Sequence, residues 1–370
     1  MSAPAPPGRP LEPGDAVPWF AAQALDGRPD YKFDTVAGRH ILLLLTPSAG
    51  DEAAAAALGA VLAKRPLFDD LHACFFGITA DPQDVAQGRI AQMLPGLRWF
   101  LDYDRGLAAR LGAVDAGGEY RPHMLLLDPM LRVVGRYPLA MAERALADLQ
   151  AVLAAPPPAA FAPVLTVPHI FEPELCRELI DLYKSSGGEP SGFMRDVGGK
   201  TVLVTDPAHK LRRDHVIEDE KLQRRLAGRI QRRLLPMIRR AFQFEASRME
   251  RYLIGCYDAE SGGHFRPHRD NTTKGTAHRR FAVTINLNAG DYEGGDLRFP
   301  EFGPRTYRAP TGGAVVFSCG LLHEATPVTR GTRYAFLPFL YDEAAAEVRE
   351  ANNPYLGEDL AAYRKSAPGS

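Results

Sequence analysis

Cysteine is scarce in this 370-residue chain: Cys74, Cys176, Cys256 and Cys319 stand far apart, with no Cys-x-x-Cys among them. That excludes a disulfide scaffold and leaves reduced, buried thiols as the expectation. Net charge is missing too. The 44 Lys and Arg nearly cancel the 45 Asp and Glu, so no global field draws in nucleic acid or an anionic membrane, and neither is expected as a partner. Long apolar runs are absent as well: the longest aliphatic stretch, Ile41 to Leu45, falls far short of the roughly 20 residues that cross a bilayer. Residues 1–10 lack the basic start and apolar core of a signal peptide, so the expected location is the cytoplasm. What remains is an ordinary globular balance, 45% hydrophobic and 24% charged, which excludes disorder, collagen and coiled coil as the dominant state. At this length two domains are the prior.

The division falls at residues 154–163, where four prolines deny both helix and ladder hydrogen bonds and read as a linker. Before it, apolar strand-like runs (40–45, 72–79, 124–128, 132–137) alternate with helical patterns (52–64, 82–93, 141–153), as in an α/β layered domain over 11–153. After it, 174–183 and 219–241 read as helices. The second carries Leu222, Leu226, Ile230, Leu234 and Ile238 on one face and seven arginines on the other, the pattern of a solvated stripe. From Arg251 onward, short strands and Gly-rich turns suggest a β-barrel or sandwich within a domain over 164–345. The Gly-rich, basic stretch 187–216 reads as a mobile loop near whatever site that domain carries.

Among ten histidines only His268 is followed two residues later by a carboxylate, Asp270. Residues i and i+2 of a strand point the same way, so the pair can share one cation. His323, at the end of the strand-like run 313–319, is the natural third donor. Two histidines and one carboxylate with open positions is the non-haem Fe(II) arrangement, whereas zinc hydrolases with this donor set usually use a helical His-x-x-x-His pair, which is absent. Ten residues after His323, Arg333 lies in an apolar run, 332–342, that reads as a buried strand. A guanidinium there needs a partner, either a protein acid or the carboxylate of a bound ligand. Arg266, Arg269, Arg279 and Arg280 read as a solvated rim, and His264 and His278 as surface or hydrogen-bonding histidines.

Taken in order, Tyr257, Gly262–Gly263, His268, Asp270, the GGDLRF strand 294–299, His323 and Arg333 resemble the prolyl-4-hydroxylase type of Fe(II)/2-oxoglutarate dioxygenase. The resemblance implies an α+β domain with a double-stranded β-helix (jelly-roll) core. It implies that His268, Asp270 and His323 bind Fe(II), that Arg333 pairs with the distal carboxylate of 2-oxoglutarate, and that Tyr257 adds a second hydrogen bond, although a core tyrosine is an equal alternative. Asn286 stands where some relatives carry a second tyrosine, a weak cosubstrate candidate. Halogenases of this kind lose the carboxylate that Asp270 retains, which favours hydroxylation. O2 and a peptidyl or small-molecule substrate are the implied partners, succinate and CO2 the products, L-ascorbate an optional reductant, and a homodimer an open option. The rival reading is a non-catalytic metal- or ligand-binding sensor built from two degenerate enzyme folds.

Residues 11–153 resemble the peroxiredoxin branch of the thioredoxin fold, through the PGDAVPWF entry (13–20), the GITADP turn (77–82) and the RPHMLLLD strand (121–128). Where that family places its reactive cysteine this chain has Ser48, Ala49 and Gly50, and Cys74 lies in an apolar strand. The expectation is a thioredoxin-like domain without peroxidase chemistry.

Overall fold

The computed structural model describes residues 9–156 and 160–365, and the chain separates into two compact units, the first running through Ala160 and including Pro300–Pro304, the second taking up the rest from Phe161. Residues 157–159 of the expected linker lie outside the described residues, and its first residue, Ala154, closes a helix instead.

In the first unit, the apolar runs form strands β1 (His40–Thr46), β2 (Ala73–Thr79), β3 (Leu97–Leu101), β4 (His123–Leu127) and β5 (Val133–Pro138). They form one sheet in the order β3-β2-β1-β4-β5. The first three are mutually parallel, and β4 and β5 run antiparallel to their neighbours. Side chains alternate across the sheet. On one face Leu42, Leu44, Phe75 and Trp99 pack under helices α1 (Glu52–Ala63) and α4 (Ala142–Ala154). On the other, Phe76 and Phe100 stack and meet Phe33 and Tyr31 edge-on. The helix expected over 82–93 is only Pro82–Ala86 (α2), begun by the Asp81 cap and ended near Gly88 at φ +64°. Strand β3 and the short helix α3 (Gly106–Arg110) carry too little periodicity to be read from sequence.

The second unit opens with β6 (Leu165–Val167) and α5 (Pro173–Ser186), followed by β7 (Glu189–Pro190), β8 (Phe193–Val197), β9 (Lys200–Val204), β10 (Lys210–Leu211) and β11 (Arg213–Val216). The stretch expected to be a mobile loop is therefore mostly strand. Its glycines sit at turns, and β8 and β9 pair over five residues. The long helix breaks into α6 (Glu220–Arg229), a π turn (Ile230–Leu234) and α7 (Leu235–Phe242). The wide turn precedes Pro236, whose ring clashes with the carbonyl four residues back. Its arginine stripe is not simply solvated: Arg225 pairs with Glu178, and Arg229 and Arg233 converge on Glu172 at the start of α5. Those two hydrogen bonds pull the Glu172 carboxyl down to about 2.

The further strands of its two main sheets are β12 (Arg248–Glu250), β13 (Leu253–Asp258), β14 (His264–His268), β15 (Phe281–Asn286), β16 (Leu297–Arg298), β17 (Thr306–Tyr307), β18 (Ala314–Ser318), β19 (His323–Ala325), β20 (Thr332–Phe336) and β21 (Phe339–Tyr341), before α8 (Glu343–Ala351). The larger sheet runs β12-β21-β15-β20-β13-β11-β7, with β18 on the other edge of β15 and β6 beyond it; the smaller runs β10-β14-β19-β16-β17. The expected strand 332–342 is β20 and β21, two pieces that pair with β15 in one continuous register and part only at Leu337–Pro338. Helices α5, α6 and α7 cover the outer face of the larger sheet through Leu175, Leu179, Leu226 and Ile238 against Ile254, Ile285 and Phe336. The unit continues past residue 345 through α8 and an ordered tail.

Candidate metal centre

Two cross-strand pairs build the site. On the smaller sheet His268 of β14 stands directly opposite His323 of β19. On the larger sheet Tyr257 of β13 stands directly opposite Arg333 of β20. Directly opposed residues of an antiparallel pair share a face, so each pair delivers its side chains together. The Gly262–Gly263 turn sets β14 against β13: a Cβ on Gly263 would lie 2.8 Å from the Tyr257 Cα. Similarly, Gly295, at φ +66°, lets the backbone approach the Arg333 side chain, where a Cβ would come within 3.2 Å of Cδ.

Strand β14 ends at His268, so Asp270 lies in the following turn and not, as expected, on the strand itself. Its backbone N–H donates to the Cys319 carbonyl at 3.0 Å, which fixes the turn. The carboxylate then reaches both imidazoles, Oδ1 to His268 Nε2 at 3.5 Å and Oδ2 to His323 Nε2 at 3.3 Å. One donor atom from each residue lies within 4.8 Å of the others. Both Nδ1 atoms face backbone carbonyls, His268 to Arg266 at 2.8 Å and His323 to Leu321 at 3.0 Å. A carbonyl only accepts, so each Nδ1 carries the proton and each Nε2 presents its lone pair inward. His323 follows a turn after β18 and begins a new strand, whereas the sequence reading set it at the end of the 313–319 run. Phe265 stacks on His268 with centroids 3.5 Å apart. Burial, and secondarily His323, push the His268 imidazolium down to about 4, so this ring is neutral at physiological pH. The Asp270 carboxyl is held well below the usual range despite the burial that works to raise it. Neutral nitrogen beside ionised oxygen is the protonation state a divalent cation requires.

A chamber of about 50 Å³ is lined by His268, Asp270, His323, Tyr257, Thr284 and Arg333, among others. Arg333 is only 2% exposed, and its Nε and Nη1 have no hydrogen-bonding partner. No protein acid pairs with it among the described residues, so the internal salt bridge open at the sequence level is not formed. Tyr257 lies under the guanidinium, 5.0 Å from Cζ to the ring centroid, and its hydroxyl accepts a 3.3 Å bond from Arg212. Arg212 is itself held by both oxygens of Asp214 at 2.6 and 2.7 Å.

Asn286 does not join the site. Its amide donates to the Ala309 carbonyl at 2.8 Å, and it lines neither cavity at the centre. His264 is four residues before His268 but on a strand, and its ring turns to the Gly262 carbonyl. His278 is buried against Glu250. Arg266 and Arg280 bond backbone carbonyls, whereas Arg269 and Arg279, expected on a solvated rim, are buried or half-buried and border a second cavity of about 470 Å³. Sequence reasoning missed Arg251, Lys210 and Glu250 there, because no spacing rule connects them to the histidines.

In the first unit Ser48 donates into a carboxylate cluster: its Oγ lies 2.9 Å from both Asp81 Oδ2 and Asp84 Oδ1, with Arg89 closing on both acids. Cys74 is fully buried and its thiol is pushed up to about 12. All four cysteines are buried and unpaired.

Residues 252–341, the span that holds every member of both cross-strand pairs, match a known family. It is the 2OG-Fe(II) oxygenase superfamily. A PKHD-type hydroxylase of Pseudomonas fluorescens is 41% identical over 91 residues, covering 22% of this chain and 39% of that protein. Another from a Synechococcus strain is 30% identical over 127 residues, covering 32% of this chain and 53% of that protein. The chain thus spans between two fifths and about half the length of these relatives. A crystal structure of a Pseudomonas putida prolyl-4-hydroxylase aligns over 49% of this chain and 94% of that one, at 19% identity and TM-score 0.38. The C-terminal unit resembles the PKHD-type and prolyl-4-hydroxylase members of the 2OG-Fe(II) oxygenase superfamily. Among the described residues no helix is long and apolar enough to cross a membrane.

Proposed function

We propose that the second unit is an Fe(II)- and 2-oxoglutarate-dependent dioxygenase that hydroxylates a peptidyl or small-molecule substrate. The observation that carries this reading is a ligand-ready triad sharing one chamber with a buried guanidinium that no protein acid pairs and whose Nε and Nη1 are unsatisfied. His268, Asp270 and His323 would hold the iron, a two-histidine, one-carboxylate set that leaves positions open. Arg333 would take the distal carboxylate of 2-oxoglutarate, with its planar fork suited to bidentate pairing, and Tyr257 would add a hydroxyl beside it. Iron with bound cosubstrate and O2 supplies the oxidation, one oxygen atom entering the decarboxylated cosubstrate as succinate and the other the substrate. The residues of this chain bind, orient and exclude water: Phe265, Phe317 and Leu297 wall the chamber, and the carbonyls of Arg266 and Leu321 fix the imidazole tautomers. In this reading the domain core is a double-stranded β-helix, L-ascorbate serves as an accessory reductant, and the enzyme works in the cytoplasm.

The test is to add Fe(II) and 2-oxoglutarate to metal-free protein without oxygen and to record the weak visible charge-transfer band of the chelate. A band that saturates with cosubstrate supports the reading, and no band at saturating ligand refutes it. Tyr257→Phe removes one hydroxyl and keeps the ring under Arg333. A neutral hydrogen bond contributes about 0.5–1.5 kcal/mol, so this variant should raise the cosubstrate dissociation constant by roughly two- to twelvefold, read from the same titration.

The first unit is read as a thioredoxin-like module over residues 11–153 that serves as a scaffold. Ser48→Cys checks that assignment. The new sulfur would face Asp81 and Asp84, and anions beside a thiol oppose its ionisation. We expect its pKa, followed by thiolate absorbance, to stay above about 8.5, with no peroxide reduction. A low-pKa, peroxide-reactive thiol there would refute the scaffold reading.

A further inference from the structure

The 470 Å³ cavity borders the metal centre and shares Arg251, Phe265, His268 and Asp270 with the smaller chamber. Most of the charged groups beside Arg251 are matched within the fold. Asp214 is engaged by both terminal contacts of Arg212 and by Ser191 Oγ at 2.5 Å. Glu250 is divided between Arg279 at 2.6 Å, Arg349 at 2.9 Å and His278 at 3.0 Å. Lys210, its amine over the Phe265 ring, donates to Ser191 Oγ and to the Gly192 carbonyl, both at 2.6 Å. Arg251 is left over. Among the described residues its one ion pair is a long contact, 3.5 Å, to the Asp214 oxygen already taken. Its guanidinium lies over the Phe339 ring, 5.3 Å from the centroid, a ring Arg279 also approaches at 4.0 Å. Two guanidinium groups thus approach one ring, and Arg251 has much the weaker acid contact of the two.

The backbone points the same way. Arg251 has φ +70°, a left-handed conformation that a long side chain adopts only when its surroundings impose it. That turn between β12 and β13 brings the guanidinium to the cavity. Opposite in character is an aromatic wall: Phe193 and His209 lie 4.5 Å apart and tilted, His209 meets Phe265 edge-on at 5.6 Å, and Phe265 stacks on His268.

We infer that this cavity receives the primary substrate and that Arg251 selects one bearing a carboxylate, whose apolar body rests on the Phe193–His209–Phe265 wall. A guanidinium fork whose one acid contact is long matches a planar monoanion. The assignment of the cavity to substrate rests on the dioxygenase reading; the preference for a carboxylate does not.

The test uses 3-phenylpropanoate and its neutral amide as probes, titrated by calorimetry into full-length protein with Fe(II) and saturating 2-oxoglutarate under nitrogen, so that Arg333 is already occupied. A charge-assisted hydrogen bond contributes about 1.5–3 kcal/mol, so the carboxylate should bind at least about tenfold more tightly than the amide. Arg251→Gln should erase that ratio, Arg251→Lys should retain part of it, and both should bind 2-oxoglutarate as the unmodified protein does. Equal affinities of the two probes, or no heat from either, overturns the inference. Loss of 2-oxoglutarate binding in Arg251→Gln, with Arg251→Lys equally impaired, also overturns it by assigning the residue to the cosubstrate chamber. Failure of the dioxygenase reading is separate: the unmodified protein would give no heat with 2-oxoglutarate, while the probe ratio stays measurable in metal-free protein.

Discussion

Alanine at Asp270 is expected to abolish iron-dependent 2-oxoglutarate turnover. This carboxylate is the one anionic donor of the triad, bridging the space between the two inward-facing Nε2 atoms. No neighbouring acid can replace it, because Glu324, next to His323 in sequence, is paired with Arg298. An outer-sphere partner of a metal ligand typically accounts for 10–100-fold in affinity or activity, so loss of a ligand itself should exceed roughly 100-fold in succinate formation. The charge-transfer band should vanish at iron concentrations that saturate the unmodified protein. Folding is a separate readout. The melting temperature of the metal-free variant separates loss of the ligand from loss of the fold. Turnover retained in Asp270→Ala would remove the metal centre from the mechanism.

Arg333→Met is expected to move stability and cosubstrate binding in opposite directions. In the ligand-free protein two donor atoms of a buried guanidinium are unsatisfied, and such groups cost about 1–3 kcal/mol each when left without partners. Methionine fills much of the same volume without charge, so the metal-free variant should gain stability of about 1–3 kcal/mol in denaturant melts. The same substitution deletes the fork that would meet the cosubstrate. Loss of a charge-assisted pair of about 1.5–3 kcal/mol weakens 2-oxoglutarate binding by roughly 10- to 150-fold. In the unmodified protein, 2-oxoglutarate with iron should raise the melting temperature, and in Arg333→Met it should do so far less at equal concentration. A destabilised metal-free variant with intact cosubstrate affinity would show instead that Arg333 serves the core.

These residues were legible in the sequence for different reasons. His268 and Asp270 are two apart, and His323 and Arg333 follow at spacings that survive any drawing of the strand boundaries. What the spacing could not show is how they meet. Asp270 was expected on the strand with His268, but the strand stops short and a turn, tied to Cys319, brings the carboxylate in. Stretch 187–216 reads as loop because its glycines and charges mask short pairings made with distant strands, such as β11 with β13. Similarly, the arginine stripe of α6 reads as solvated because its partners, Glu172 and Glu178, lie some fifty residues earlier. Arg251 carries no signal at all: one arginine among many, conspicuous only once its neighbours' acids are found to be spent.

The opposition of His268 to His323 and of Tyr257 to Arg333 has a further consequence. Side chains alternate with period two, so a slip of one residue in either ladder would send one member of a pair to the far side of its sheet. A chain paired one step out of register could still bury apolar surface, but it could not gather three donors around a cation. If the triad holds a divalent ion as proposed, metal affinity would proofread the β14–β19 alignment: the ion would bind the correctly paired chain alone and draw the folding population toward it.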